Sequence, residues 1–217
     1  MRNLLVIFIF ALCAAAFSQT DYSGRKDNFI LGVTAGATFS QVDGDTYSGY
    51  HQPGFTGGGF VYKPISKYWD VQFEIVFKQK GSSKTADVKN EDYTEYYINL
   101  NYVELPIVAR YHFGRFSAEG GLYFGTLISS KEGDINGDFD EGETNAFTTF
   151  EMGTLVGINF HFTPKFWINA KLGYSLTPIR EPYDGNIEIY QPVKHIFTRK
   201  PGEYNNVMSF ALYYAFK

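Results

Sequence analysis

Three groups of side chains in this chain have types and spacings that could do chemistry. The first is the run DINGDFDEGE, in which Asp134, Asn136, Asp138, Asp140 and Glu143 offer oxygen ligands at near-alternate positions, the habit of calcium loops. Phe139 stands where an EF-hand needs glycine, and Asn145 where it needs its bidentate glutamate, so the EF-hand itself is excluded. What stays open is weak calcium binding or a plain acidic, solvated loop tip. The second group is Glu74, Glu104, Arg110, Glu119, Glu151 and Lys171, single charges set into otherwise apolar or small-residue stretches. Paired carboxylates of this kind could run general acid–base chemistry, but their mixed sign favours a structural network of ion pairs. The third group is His51, His112, His161 and His195, candidates for a serine–histidine–acid site acting on lipid. No fixed cluster appears among them in the sequence, because two fall at strand ends and two in loops on the opposite side.

The elements that must position these groups are strands. The stretch from Leu100 to Leu127 folds back on itself at Gly114-Arg115. That register sets Phe113 opposite Phe116, Tyr111 opposite Ala118, Ile107 opposite Leu122 and Leu105 opposite Phe124 on one apolar face. The other face then holds Arg110 against Glu119, Pro106 against Tyr123 and Glu104 against Gly125. Pro106 cannot donate a ladder hydrogen bond, and the expectation is a bulge at that position.

Alternation of the same kind recurs along the chain. It predicts strands over 29–39, 55–63, 69–77, from Tyr96 into the hairpin, through its return arm, and over 150–162, 166–176 and 207–217. The glycine run at 57–59 makes the second of these the weakest, and 81–95 and 129–146 read as polar loops. Connections after the odd-numbered strands run to about a dozen residues or more, and those after the even-numbered ones to roughly two to five, as in up-and-down outer-membrane barrels. The predicted fold is therefore all-β, an eight-stranded antiparallel transmembrane β-barrel of the OmpA/OmpX kind. Both termini and the short turns face the periplasm, and charges point into the lumen. Trp69, Tyr111, Phe113, Phe116, Phe162, Phe166 and Phe216 near the short turns fit an aromatic girdle.

Composition agrees. The 217 residues are 44% hydrophobic and 18% aromatic with 21 phenylalanines, yet no internal stretch is long enough for a helical span. Residues 1–18 carry Arg2 and an apolar core ending in Ala16-Phe17-Ser18, the form of a signal peptide cleaved before Gln19. Residues 19–28 are then a short periplasmic segment and 29–217 the barrel. A lipoprotein reading fails because Leu12 precedes Cys13, the only cysteine, so the mature chain has none. The formal charge of −4 becomes −5 without the leader, which speaks against nucleic acid as a partner.

The run YVELPIVARYHF at 102–113 resembles the PorT-like outer-membrane β-barrel family of Bacteroidota. WDVQFEIVFKQKGS at 69–82, FSAEGGLYFG at 116–125 and the terminal FALYYAFK are similar to it as well. Two positions depart from the pattern: Glu104 precedes Leu105 in the VELP core, and Lys217 follows Phe216 where barrel chains often end on an aromatic residue. The resemblance implies an outer-membrane barrel, often of unknown individual role; no cofactor is expected besides the calcium the acidic run could hold. One namesake acts in a gliding-associated secretion pathway, a role that no residue here singles out. The expected partners are outer-membrane lipid, the barrel-assembly machinery and an external or envelope ligand of the loops. The main alternative is a lipid-modifying outer-membrane enzyme. A secreted soluble barrel holding a hydrophobic ligand would need the faces reversed, with apolar residues inward.

Overall fold

The structure is a computed structural model that describes residues 29–45, 47, 49–86, 91–139, 146–181, 193–194 and 201–216. The leader and the 19–28 segment lie outside the described residues. Eight long strands form the fold: β1 (Ile30–Asp43), β2 (Gln52–Pro64), β3 (Trp69–Lys84), β4 (Tyr96–Phe113), β5 (Phe116–Asp134), β6 (Phe150–Thr163), β7 (Phe166–Ser175) and β8 (Tyr204–Ala215). Each pairs antiparallel with its sequence neighbour, and β8 pairs with β1, so the sheet closes into a barrel with no free edge. Short two-residue pieces at Gly137–Asp138, Val193–Lys194 and Pro201–Gly202 decorate the long connections.

The hairpin pairs as the alternation requires, with Phe113 opposite Phe116, Ile107 opposite Leu122 and Arg110 opposite Glu119. Gly114 takes φ 66°, the left-handed conformation that a two-residue turn between twisted strands demands. The glycine run in β2 is fully paired, and it is needed there. A Cβ on Gly58 would lie 2.0 Å from the Ile75 carbonyl oxygen.

Burial shows which face looks where. Leu31, Val33, Phe73, Ile75, Leu105, Ile107, Leu122, Phe124, Leu172 and Leu212 are exposed around the outside, while Asp70, Glu74, Glu104, Arg110, Glu119, Glu151 and Lys171 are buried inside. That inverted pattern is the one a lipid solvent selects, and it excludes the soluble barrel with an apolar interior. At the short-turn end, ring contacts run from Trp69 to Tyr111 (5.1 Å between centroids), on through Phe113 and Phe116 to Phe160, and from Phe160 through Phe162 to Phe166. The girdle is a continuous band along this part of the rim.

Two expectations need correction. Pro106 does not sit in a bulge: the β3–β4 register is the same at Phe73–Ile107 as at Val76–Glu104, and the ladder merely lapses between them. The missing N–H costs one rung to β3, while Pro106 stays paired with Tyr123 on β5. The bulge of this hairpin lies further out, between Asn101 and Tyr102, which face Ser129 and Leu127 and leave Ile128 as the extra residue. Segments 81–84 and 129–134, read as loop, are strand. Their polar residues suit strands that have left the membrane, because a membrane-crossing strand needs only about 9–11 residues and β4 and β5 have 18 and 19.

Candidate functional site

The period-two pleat brings inward residues of all eight strands into layers across the lumen. Lowest, at the short-turn end, Asp70 of β3 accepts from Arg110 Nε at 2.7 Å and lies 2.5 Å from His112 Nε2. The Arg110 guanidinium lies over the Tyr62 ring at 4.8 Å and over Trp167 at 5.3 Å. Arg110 therefore faces two carboxylates in the ladder, Asp70 and Glu119, and pairs with Asp70; the pairing expected with Glu119 inside the barrel is corrected accordingly.

Glu119 belongs to the next layer. Lys171 Nζ reaches Glu74 at 3.0 Å and Glu119 at 3.2 Å, and Asn159 and Asn169 each donate to Glu119 at 3.0 Å. Gln72 and Tyr213 donate to Glu74. Above it, Lys80 Nζ bridges Glu104 at 2.5 Å and Glu151 at 3.0 Å, with Lys78 on the other Glu104 oxygen at 2.7 Å. Tyr123, Ser175 and Asn205 donate to Glu151. A cavity of about 10 Å³ beside Glu74, Lys171 and Tyr213 has room for about one water. Glu74, Glu119 and Glu151 are satisfied acceptors, each with a lysine in contact and further donors around it, whereas Glu104 meets two lysines and, among the described residues, no other donor.

The outer end has a different filling. Val42, Tyr96, Ile98, Leu100, Tyr102 and Ile179 form a buried apolar cluster. Over it Arg180 is clamped between Glu132 (2.6 Å) and Glu203 (2.9 Å), and Tyr96 donates to Glu132. Burial works to lower the Arg180 pKa, but the hydrogen bonds to Glu132 and the charge of Glu203 hold it above the ordinary arginine range. Burial pushes the Glu203 carboxyl up against the opposing pull of Arg180.

Sequence reasoning missed Lys80 and the whole Arg180–Glu132–Glu203 cluster. Lys80 was legible: the inward series Asp70, Gln72, Glu74, Lys78 continues at period two through Lys80 and Ser82, all buried. The Arg180 cluster was not, because Arg180 and Glu203 come from a connection and Glu132 turns inward only after the Ile128 bulge.

Of the histidines, His112 and His161 meet at the short-turn end with rings 5.5 Å apart, while His51 lies beside β2 at the opposite end and His195 falls outside the described residues. Ser117 and His161 are 3.0 Å apart, but the acid, Asp70, holds the other imidazole, and Ser117 is fully buried. The parts of a triad are present without its connectivity. In the acidic run, Asp134 accepts from the Asn136 backbone N–H at 2.7 Å, and Asp138 is held by Tyr97 and by Lys131 at 3.6 Å. Asp140 and Glu143 lie outside the described residues. Among the described residues, no group of three or more His, Cys, Asp or Glu is placed to hold a metal.

In comparisons with known proteins, no curated protein matches the chain. Among solved structures, it is similar to the attachment invasion locus protein Ail of Yersinia pestis in complex with the heparin analogue sucrose octasulfate (14% identity, 87% of this chain and 99% of that one, TM-score 0.46). It is also similar to Neisserial surface protein A (13% identity, 85% and 96%, TM-score 0.49) and to OprG of Pseudomonas aeruginosa (9%, 87% and 95%, TM-score 0.38). The family description "Outer membrane protein beta-barrel domain" matches residues 17–181, about three quarters of the chain. An outside apolar to lipid, an interior of paired charges and that match agree: the chain belongs to the outer membrane protein β-barrel domain family, and its place is the bacterial outer membrane.

Proposed function

We propose that this protein is a non-enzymatic envelope protein whose plugged barrel serves as a mount for its external loops, which engage a ligand outside the cell or in the envelope. The observation that carries this reading is the filling of the lumen, with ion pairs at membrane depth and a packed apolar cluster beyond it. A lumen so filled is expected to conduct little, and interaction is left to what stands above. The long strands β4 and β5 extend some seven to eight residues past membrane requirement, roughly 25 Å along the strand, so their outer ends at Tyr96 and Asp134 stand beyond the membrane. Ser117, the serine beside His161, is buried and is not presented to lipid.

The same reading takes residues 1–18 as a leader cleaved before Gln19 and 19–28 as a periplasmic segment, and it sees insertion by the barrel-assembly machinery. On the motifs at 69–82 and 102–113, it assigns the chain to the PorT-like branch of Bacteroidota.

The test uses the mature chain's lack of cysteine. Ile135→Cys, near the β5 tip and exposed, is expected to react with a membrane-impermeant maleimide on intact cells, whereas Arg115→Cys in the short turn reacts only after the outer membrane is permeabilised. In planar bilayers the refolded protein gives negligible conductance. Stable nanosiemens channels, or labelling with the reverse sidedness, overturn the reading.

A further inference from the structure

The short-turn end of the barrel opens into a cavity of about 560 Å³, a size that ordinary small-ligand sites share. Tyr62, Trp69, Phe162 and Trp167 supply aromatic wall, and Lys67, Arg110 and Arg115 supply charge, against Asp70 as the only carboxylate among the described residues of the lining. The cavity is therefore electropositive, and it faces the periplasm by the loop-length rule.

Its polar groups are unevenly satisfied. Arg110 and Trp167 are each only 1% exposed, and Arg110 Nη1 and Trp167 Nε1 have no acceptor among the described residues. Both are N–H donors, and both side chains are in the lining. A buried donor without an acceptor is costly, so two of them beside one cavity point to something that accepts from both.

Neither donor is free to turn away. Arg110 is fixed through Nε by Asp70, whose second oxygen is taken up by His112. The Trp167 ring is stacked on Tyr213 at 5.4 Å and packed edge-on against Phe60 at 5.4 Å and Tyr62 at 6.3 Å. The donors are thus held in place by packing and hydrogen bonds that a ligand does not need to supply, which lowers the ordering cost of binding.

We propose that this periplasmic vestibule is a binding site for a small oxyanion, a carboxylate or phosphate group, seated on Arg110 Nη1 and Trp167 Nε1 with Lys67 and Arg115 drawing it in from the rim. An oxyanion accepts from two N–H groups at once and meets the positive charge of the lining, which water matches only in the first respect. The site is at the opposite end from the external loops and is independent of what they bind.

The chain has only two tryptophans, and both line this cavity, so the indole N–H resonances report on it directly. Inorganic phosphate and N-acetyl-alanine serve as probes of the two sources, with N-acetyl-alanine amide as the uncharged counterpart and sodium chloride as the ionic-strength control. The expected result, with the full mature chain in non-ionic detergent, is a saturable shift of the Trp167 indole N–H at millimolar phosphate or N-acetyl-alanine, absent with amide and chloride. Whichever probe acts at lower concentration identifies the source. Arg115→Gln and Lys67→Gln, exposed rim changes that spare the fold, weaken binding several-fold. Trp167→Phe keeps an aromatic, if smaller, ring and removes the donor, and weakens it tenfold or more as read at Trp69. Heat-modifiable gel mobility checks that each variant is folded. An absent shift, a shift shared by the amide or chloride, or saturation unchanged in Arg115→Gln and Trp167→Phe overturns the proposal and leaves water or an adventitious surface ion as the occupant.

Discussion

The two ends of β4 obey opposite rules. Its inner half sends Glu104 and Arg110 into the lumen and Leu105, Ile107 and Ala109 outward, whereas its outer half buries Tyr96, Ile98, Leu100 and Tyr102 and turns Tyr97, Asn99 and Asn101 out. The pleat never breaks. Only the solvent changes, from lipid, which takes apolar side chains on the outside, to water, which drives them in. The reversal falls between Tyr102 and Val103, beside the bulge at which β5 gains Ile128. An extra residue flips every side chain beyond it to the other face. Odd-numbered residues of β5 face the lumen before the bulge, as Glu119 and Tyr123 do, and Glu132 faces it afterwards. That inward Glu132 is what Arg180 binds. The lumen of the membrane half is thus filled by ion pairs among small apolar clusters such as Val108, Tyr123 and Leu155, and the outer half by an apolar core with one clamp.

The largest effect is expected where the membrane half is broken. Glu104→Ala strands Lys78 and leaves Lys80 with Glu151 alone, and an uncompensated buried charge costs about 3–5 kcal/mol. Urea unfolding followed by gel mobility in lipid vesicles measures it. A loss under about 1 kcal/mol would mean that the pairs behave as surface ion pairs and that water fills the lumen.

Deleting Ile128 attacks the outer half through its geometry. Removing the bulge restores the earlier parity, turns Glu132 outward and leaves Arg180 with Glu203 alone. The expected loss is smaller, about 1–3 kcal/mol, because water can re-enter beyond the membrane. The barrel keeps its heat-modifiable mobility, and protease cuts the connections at the outer end faster. Equal losses from the two variants would erase the distinction between the halves.

How legible these halves were follows from the same physics. Strand number, hairpin register and the outward face of the membrane half could be read because lipid enforces alternation on every strand that crosses it. The inward face was legible as charge but not as partnership. Arg110 has Asp70 on one neighbouring strand and Glu119 on the other, and nothing local says which it takes. Lys171 reaches Glu74 from across the lumen, a contact set by closure. The outer half hid behind its composition, since KGSSK after Gln79 and SSKEGD after Ile128 look like loop until water, rather than lipid, is taken as the medium on their outer side. The bulge was sought at Pro106 for want of an N–H, but a barrel wall tolerates one missing rung, and the boundary between solvents is where the extra residue went.

The outer half also carries a pH response. Burial raises the Asp45 carboxyl to about 7, against the lowering effect of its hydrogen bonds from Ser82 and the Tyr47 backbone. A folded-state pKa above the unfolded value of 3.8 means that the fold prefers the protonated acid. Its contribution is fully present below pH 3.8 and is lost as pH rises through about 7. Backbone hydrogen exchange around 41–50 is expected to be faster at pH 8 than at pH 5, after correction for intrinsic rates, and Asp45→Asn is expected to remove the difference. A response that survives in Asp45→Asn would place the titrating group elsewhere.

The smallest effect is expected at the tip of the outer half, where the acidic run stands as a proposed weak calcium site. Asp134 is already turned onto the backbone of Asn136, and Asp138 onto Tyr97 and Lys131, the Tyr97 hydrogen bond and then the Lys131 charge holding its carboxyl below the usual range. Calcium must displace these contacts before it gains its own, so the affinity expected is that of loosely organised extracellular modules, about 10⁻⁴–10⁻³ M. Calorimetry with calcium reads it. Lys131→Gln, which frees one contact on Asp138, is expected to tighten binding slightly, and the stability of the membrane half is expected to stay unchanged with or without the ion. Absence of heat at millimolar calcium in both proteins would end the calcium reading and leave the run as a solvated tip. A rise in the stability of the whole barrel would instead tie the two halves more closely than their separate fillings suggest.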